Sequence, residues 1–144
     1  MPYDPELVAP MREELTRAGV KELLSAKDVE SLMADAKGTT LIVVNSVCGC
    51  AAGSARPGVT LALKGNIRPD RVATVFAGQD AEATQKVRSY FSEMPPSSPS
   101  LALLKDGKIV HFVPRHAIEG KGPEQVAAGL AQAFEKYCGS VAKA

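Results

Sequence analysis

Much of what this chain lacks limits what it can do. Three cysteines among 144 residues are too few, and too oddly numbered, for a disulfide framework. A closed zinc site needs four ligands. Beyond one close cysteine pair only Cys138, His111 and His116 remain, far apart in sequence, so no metal is expected. No charge of one sign dominates, and a formal net charge of +1 gives no field for nucleic acid or an anionic membrane. No apolar run approaches the roughly 18 residues of a membrane span, and MPYDPELV has neither the basic region nor the apolar stretch of a signal peptide. A cytoplasmic protein is expected. Repeats and low-complexity tracts are absent, and the one proline and serine cluster, Pro95 to Ser100, is short.

What is present fits one folded unit. The length suits a single domain spanning residues 1–144, and 45% apolar with 23% charged residues is the balance of a globular chain, not of a disordered one. The organising stretch is Thr39 to Ala52, TTLIVVNSVCGCAA. Leu41 to Val44 form an unbroken branched apolar run, as in a strand buried on both faces. Asn45 and Ser46 follow, then Cys48 and Cys50, then alanines that open a helix. A thiol pair thus stands where a central strand hands over to a helix. Unpaired N–H groups and the positive end of the helix dipole favour a thiolate there. They can lower a cysteine pKa from about 8.5 into the range of roughly 3.5 to 7.5. Gly49 removes the side chain between the sulfurs, which admits unusual φ values and close approach of a partner's backbone.

The remaining elements follow from caps and periodicity. Asp4 caps and Pro5 starts an amphipathic helix, with Leu7, Val8, Met11 and Leu15 apolar, that ends at Gly19; residues 1–19 are read as an extension lying on the core domain. Val20 to Leu24 form a short strand. Ser25 to Asp28 make a capping box with aspartate in the glutamate position, and the helix they start carries Val29, Leu32, Met33 and Ala36 on one face. The helix after the thiols runs from about Gly49 to Leu63, and Pro57 predicts a kink in it. Arg71 to Ala77 is a second buried strand, and Asp80 caps a helix reaching Phe91 with Ala83, Val87, Tyr90 and Phe91 inward. Leu101 to Leu104 and Ile109 to Val113 form a hairpin about Asp106-Gly107. Gly122 and Pro123 start a last helix carrying Val126, Leu130, Phe134 and Tyr137. Cys138 is read as a partly buried thiol just beyond it, and His111 as a solvent-facing imidazole.

That order, βαβαβαββα after the first helix, with a thiol pair behind the second strand and a proline before the hairpin, resembles the thioredoxin fold. The resemblance implies an α/β protein with a central mixed sheet flanked by helices. It also implies that Pro99, in Ser97-Ser98-Pro99-Ser100, is cis and faces the thiols. The motif is Cys-X-Cys, unlike the common Cys-X-X-Cys. Asn45-Ser46-Val47-Cys48-Gly49-Cys50-Ala51-Ala52-Gly53 with Ala55-Arg56-Pro57, Pro99-Ser100 and Ile118-Glu119-Gly120 is closely similar to the bacilliredoxins. That similarity implies reduction of mixed disulfides between client proteins and bacillithiol, with weak disulfide isomerase activity. No bound cofactor is implied; bacillithiol is a thiol co-substrate.

On this reading Cys48, at the exposed edge of the helix start, attacks, and Cys50, pointing into the first turn, resolves. Their Cα atoms would stand about 5.5 Å apart, inside the disulfide window, though so small a ring strains the linkage. Strand directions in the resembled fold bring Gly78-Gln79-Asp80, Ser98, Pro99 and Pro114-Arg115-His116 to the thiol end. Arg115 is the candidate for a two-pronged contact with a carboxylate of bacillithiol's malate group, and Asn45 either orients the thiols or satisfies the strand end. Two other readings stand: a general disulfide reductase or isomerase, and a non-catalytic thioredoxin-like module that binds a metal such as Cu(I), or a partner, through Cys48 and Cys50. Client proteins, oligomeric state and the role of Cys138 are not legible.

Overall fold

A computed structural model of the chain describes residues 3–34 and 37–138. Helix α1 (Pro5–Thr16) precedes strand β1 (Lys21–Glu22), helix α2 (Ala26–Ala34) and strand β2 (Thr39–Asn45). A π-helical turn (Ala51–Ala55) leads into α3 (Arg56–Ala62), and then come β3 (Arg71–Phe76) and α4 (Ala81–Arg88), the latter tightening into a 3₁₀ turn (Ser89–Phe91). The hairpin is β4 (Ser100–Lys105) and β5 (Lys108–Val113), followed by the short α5 (Arg115–Ile118) and the long α6 (Pro123–Cys138).

The strands form one five-stranded mixed sheet in the order β1-β3-β2-β4-β5. β2 pairs parallel with β3 and antiparallel with β4, so it is central, and all seven of its residues are buried. Its branched run therefore faces two cores, as a strand covered on both sides must. Leu41 and Val43 join Val59, Leu130 and Phe134 on the side of α3 and α6. Ile42 and Val44 join Val29, Ala83, Val87 and Phe91 on the side of α2 and α4. Gly58 lets α3 lie hard against α6, since a Cβ there would come within 2.6 Å of Val126. The hairpin turns on Asp106 and Gly107, with φ values of 51° and 81°, the pair of positive angles that suits the strand twist.

Several sequence expectations change. The first strand shrinks from Val20–Leu24 to Lys21–Glu22, whose residues pair in register with Ala73 and Thr74 of β3, and Leu23 N–H closes the ladder on the Thr74 carbonyl at 2.9 Å. The capping box is half made: Asp28 N–H donates to Ser25 Oγ at 3.1 Å, but the Asp28 carboxylate takes the N–H of Leu24 at 3.0 Å. Ala36 lies outside the described residues. Asp80 makes no side-chain cap, because its carboxylate is held by Arg12 at 2.8 and 3.1 Å. In place of a kink, the turn before Pro57 widens, and Arg56 N–H reaches back to the Ala51 carbonyl. Proline cannot donate the next α-type bond, and a π turn absorbs that loss.

Cys138 is the last residue of α6 and only 1% exposed, deeper than its position near a terminus suggested. His111 is half-buried and not solvent-facing; burial lowers its pKa, and the charge of Lys136 lowers it further. Among the described residues, no helix is long and apolar enough to cross a membrane, and no cluster of three or more His, Cys, Asp or Glu side chains is arranged to hold a metal.

Candidate functional site

The site begins where β2 runs out of sheet. The last ladder contact is Ala77 N–H to the Asn45 carbonyl at 2.9 Å, and beyond it side chains take over. Asn45 Oδ1 accepts from Ser46 N–H at 2.8 Å and from Arg56 Nη1 at 2.9 Å, while its Nδ2 donates to the Met11 carbonyl at 3.2 Å. Ser46 Oγ then accepts from Cys48 N–H at 2.9 Å, a local side-chain turn of the kind short polar residues make. The Cys48 carbonyl accepts from Ala51 and Ala52 at 3.0 and 3.3 Å, so the helical run starts at the thiols. Cys50 N–H donates to Cys48 Sγ at 3.4 Å.

Both cysteines are free and of intermediate exposure, but their surroundings differ. Cys50 packs against the core on the α3 and α6 side, and burial raises its pKa, followed by the Cys48 hydrogen bond and the charges of Cys48 and Glu119. Burial also acts upward on Cys48. It is outweighed by the N–H and thiol of Cys50, the charge of Arg115 and the N–H of Ala51, so Cys48 lies below the ordinary thiol value. The two thiols are thus pushed apart, Cys48 downward and Cys50 upward.

Residues from distant elements meet here. Val44 pairs with Ser100, so Ser98 and Pro99 precede β4 at the sheet end that carries the thiols, and the Ser98–Pro99 peptide is cis. Arg115 N–H donates to Ser97 Oγ at 3.2 Å, which ties the start of α5 to that loop. The Arg115 side chain is exposed and pairs with Glu119 at 3.4 Å. His116 lies on the same short helix and is exposed. Gly78-Gln79-Asp80 also reaches this end, but α1 and the residue before its cap occupy it: Tyr3 N–H donates to Gln79 Oε1, and Arg12 of α1 holds Asp80. Gly49 adopts no left-handed backbone, and a Cβ on it would meet nothing within 4 Å. It serves here as bare surface beside the sulfurs, not as a conformational exception.

Comparison with known proteins fits this geometry. The family model described as disulphide isomerase matches residues 3–138. A bacilliredoxin of Bacillus licheniformis is 56% identical over 137 residues, covering 94% of this chain and 95% of that protein. One of Shouchella clausii is 55% identical over 136 residues, covering 94% of each. The chain belongs to the bacilliredoxin family. Solved structures agree on the fold: Fasciola hepatica thioredoxin superposes with a TM-score of 0.57 at 22% identity, over 82% of this chain and 99% of that one. Reduced Schistosoma mansoni thioredoxin gives 0.55 at 18%, over 82% and 97%. As a family member with a thioredoxin fold and a Cys-Gly-Cys pair, the chain is a thiol-disulfide oxidoreductase.

The sequence reading quoted Arg56 only within a motif and gave no role to it or to its partner Glu14, and it missed the short helix α5. Signals for Arg56 existed. It stands three and seven residues before Val59 and Leu63, on the inward face of its helix, and Asn45 ends an apolar strand with a polar group that needs a partner.

Proposed function

We propose that this oxidoreductase removes bacillithiol from mixed disulfides on client proteins, with Cys48 as attacking thiol and Cys50 as resolving thiol. The observation that carries the division of labour is the contrast between the sulfurs: Cys48 receives the Cys50 N–H, whereas Cys50 is pressed against the core, and the charge of Arg115 reaches both. In the first exchange the Cys48 thiolate attacks the bacillithiol sulfur. The Cys48–bacillithiol bond forms, the bond to the client sulfur breaks, and the client thiolate leaves and takes a proton from water. In the second, the Cys50 thiolate attacks Cys48 Sγ and releases bacillithiol, leaving Cys48 and Cys50 oxidised. Alternatively, a second bacillithiol attacks the bound one and departs as the symmetrical disulfide, returning Cys48 to the thiolate.

Ser98, cis-Pro99 and Gly49 would border the incoming disulfide, and Asn45 would hold the strand end beneath it. Arg115 would take a malate carboxylate of bacillithiol. Its present partner, Glu119, is a solvent-screened helix neighbour and a weak competitor. The high identity to bacilliredoxins supports the substrate class, and weak isomerase activity is compatible with the same exchange chemistry.

The test is rate by substrate. Client–bacillithiol disulfides should be reduced faster than client–glutathione disulfides. Arg115→Ala should slow the bacillithiol reaction several-fold more than reaction with an uncharged small disulfide. Equal rates for the two client disulfides would favour a general reductase, and an equal loss in the variant would remove Arg115 from recognition. Failure to react with either, with stoichiometric Cu(I) binding, would favour the binding module.

A further inference from the structure

Arg56 is a buried cation that the exchange chemistry does not touch. Its side chain is 4% exposed, and its two halves do different things. Nε donates to Glu14 Oε1 on α1 at 2.8 Å. Nη1 donates to Asn45 Oδ1 and to the Ser46 carbonyl, both at 2.9 Å. We propose that Arg56 is a positioning residue for the reaction, setting the reactivity of Cys48 through Asn45 and Ser46 and not through its tie to α1. The proposal rests on the reading of Cys48 as the attacking thiol.

The chain bends sharply between the end of β2 and the helical run, so its polar groups there lack ladder partners. Among the described residues no buried side-chain nitrogen or oxygen is left unpaired, and at this bend Arg56 supplies the pairing. Its Nη1 clamps the Ser46 carbonyl and Asn45 Oδ1, the same oxygen that takes Ser46 N–H. Ser46 is thereby held at both backbone ends while its Oγ aims at Cys48 N–H. Cys48 in turn stands where Cys50 N–H reaches its sulfur. Without Nη1, a buried carbonyl and a buried amide oxygen each lose a donor, and such groups move toward water if the backbone allows it. That motion misaligns Cys48 N–H and the Cys50 N–H contact that favours the thiolate. A rigid guanidinium fork can serve Glu14 and the bend together; an ammonium, with its donors at one point, serves one or the other. The charged groups facing Cys48 are Cys50 on its own turn and Arg115 on α5, with Glu119 beside them; Arg56 and Glu14 lie beneath.

The experiment is the pH dependence of iodoacetamide labelling in the reduced protein, with the label mapped by mass spectrometry. It needs no bacillithiol and does not depend on the substrate assignment. Arg56→Met should raise the labelling midpoint of Cys48 by about half a pH unit and slow labelling at pH 7 about threefold, and Arg56→Lys should fall between it and wild type. Glu14→Ala should leave the midpoint at the wild-type value while lowering the melting temperature. If Arg56→Met does not fold, Arg56→Lys against Glu14→Ala makes the same comparison. An unchanged midpoint in the Arg56 variant, or an equal shift in Glu14→Ala, overturns the proposal. Wild-type label arriving first on Cys50 overturns the underlying reading of Cys48, and the proposal with it.

Discussion

Two thiols stand at opposite ends of β2, and the fold treats them oppositely. Cys48 lies where a helix begins, half-buried, beside Arg115 and over the network held by Arg56. Cys138 lies in the last turn of α6, 1% exposed, near the start of the same strand. Burial pushes its thiol up; a hydrogen bond with Thr39 opposes this, and the lesser charges of Asp70 and Lys105 act upward and downward in turn. Asp70 takes the N–H of Thr39 at 2.9 Å, and Asp106 takes that of Gly38 at 2.8 Å. At that end carboxylates hold the backbone N–H groups, with the Arg71 guanidinium on Thr40 beside them; at the thiol end the Arg56 guanidinium holds the Ser46 carbonyl. Helix polarity runs the same way, with an N-terminus at Cys48 and a C-terminal turn at Cys138. One residue type is thus given two settings, a lowered thiol at a helix start and a raised one in the packed core.

The largest effect that would sharpen this contrast is loss of one active-site sulfur. Cys48→Ser should abolish turnover, and Cys50→Ser should still attack and accumulate as a mixed disulfide at Cys48, read by mass spectrometry. An active Cys48→Ser carrying its adduct on Cys50 would exchange their roles.

Next in size is the stability of the far end. Cys138→Ala removes a fully buried sulfur and should cost about 1–2 kcal/mol in a denaturation midpoint while leaving turnover unchanged. The alkaline limb offers a second reading. A thiol whose folded pKa is raised keeps its proton above the ordinary value of 9.0, where the unfolded chain has already lost it. Stability therefore falls as pH rises through that window. Cys138→Ala should flatten the fall, and an unchanged slope would leave the raised Cys138 without support. His111 gives a smaller effect of opposite sense: its folded pKa is lowered, so the unfolded chain binds the proton first and stability falls as pH drops through 6.5. His111→Gln should lessen that acid loss.

The smallest effect is expected at Gly49, a helical position open to solvent. Gly49→Ala should stabilise by about 0.5–1 kcal/mol while slowing reaction with protein disulfides more than with small ones. Equal rates for both would mean that no partner backbone comes close there.

The elements most legible in the sequence were those with one dominant cause. β2 showed as a branched apolar run, the hairpin as Asp106-Gly107, and α1 as Asp4, whose Oδ1 accepts from Glu6 N–H at 2.9 Å. The thioredoxin-like order followed from these, and with it the place of Pro99. Less legible were residues whose role depends on contacts distant in sequence. Asp80 has the chemistry of a cap, but the salt bridge from Arg12, 68 residues earlier, claims its carboxylate. Pro57 signalled a break, though not that the helix would widen instead of bend. Arg56 stood in the sequence only as part of the motif Ala55-Arg56-Pro57, with no role of its own, and only Asn45 and Glu14 in place explain its burial. Helix α1, read as an extension lying on the core domain, is also tied to Asn45 and Arg56 through Met11 and Glu14.

The central claim is that the fold lowers one thiol and raises the other two. Its most direct measurement is the labelling of wild-type, fully reduced protein by iodoacetamide across pH, followed separately at all three cysteines. Cys48 should label with a midpoint below the ordinary thiol value, Cys50 only at higher pH, and Cys138 not at all until the protein unfolds. Labelling of Cys138 or Cys50 at or below the pH at which Cys48 reacts would contradict it.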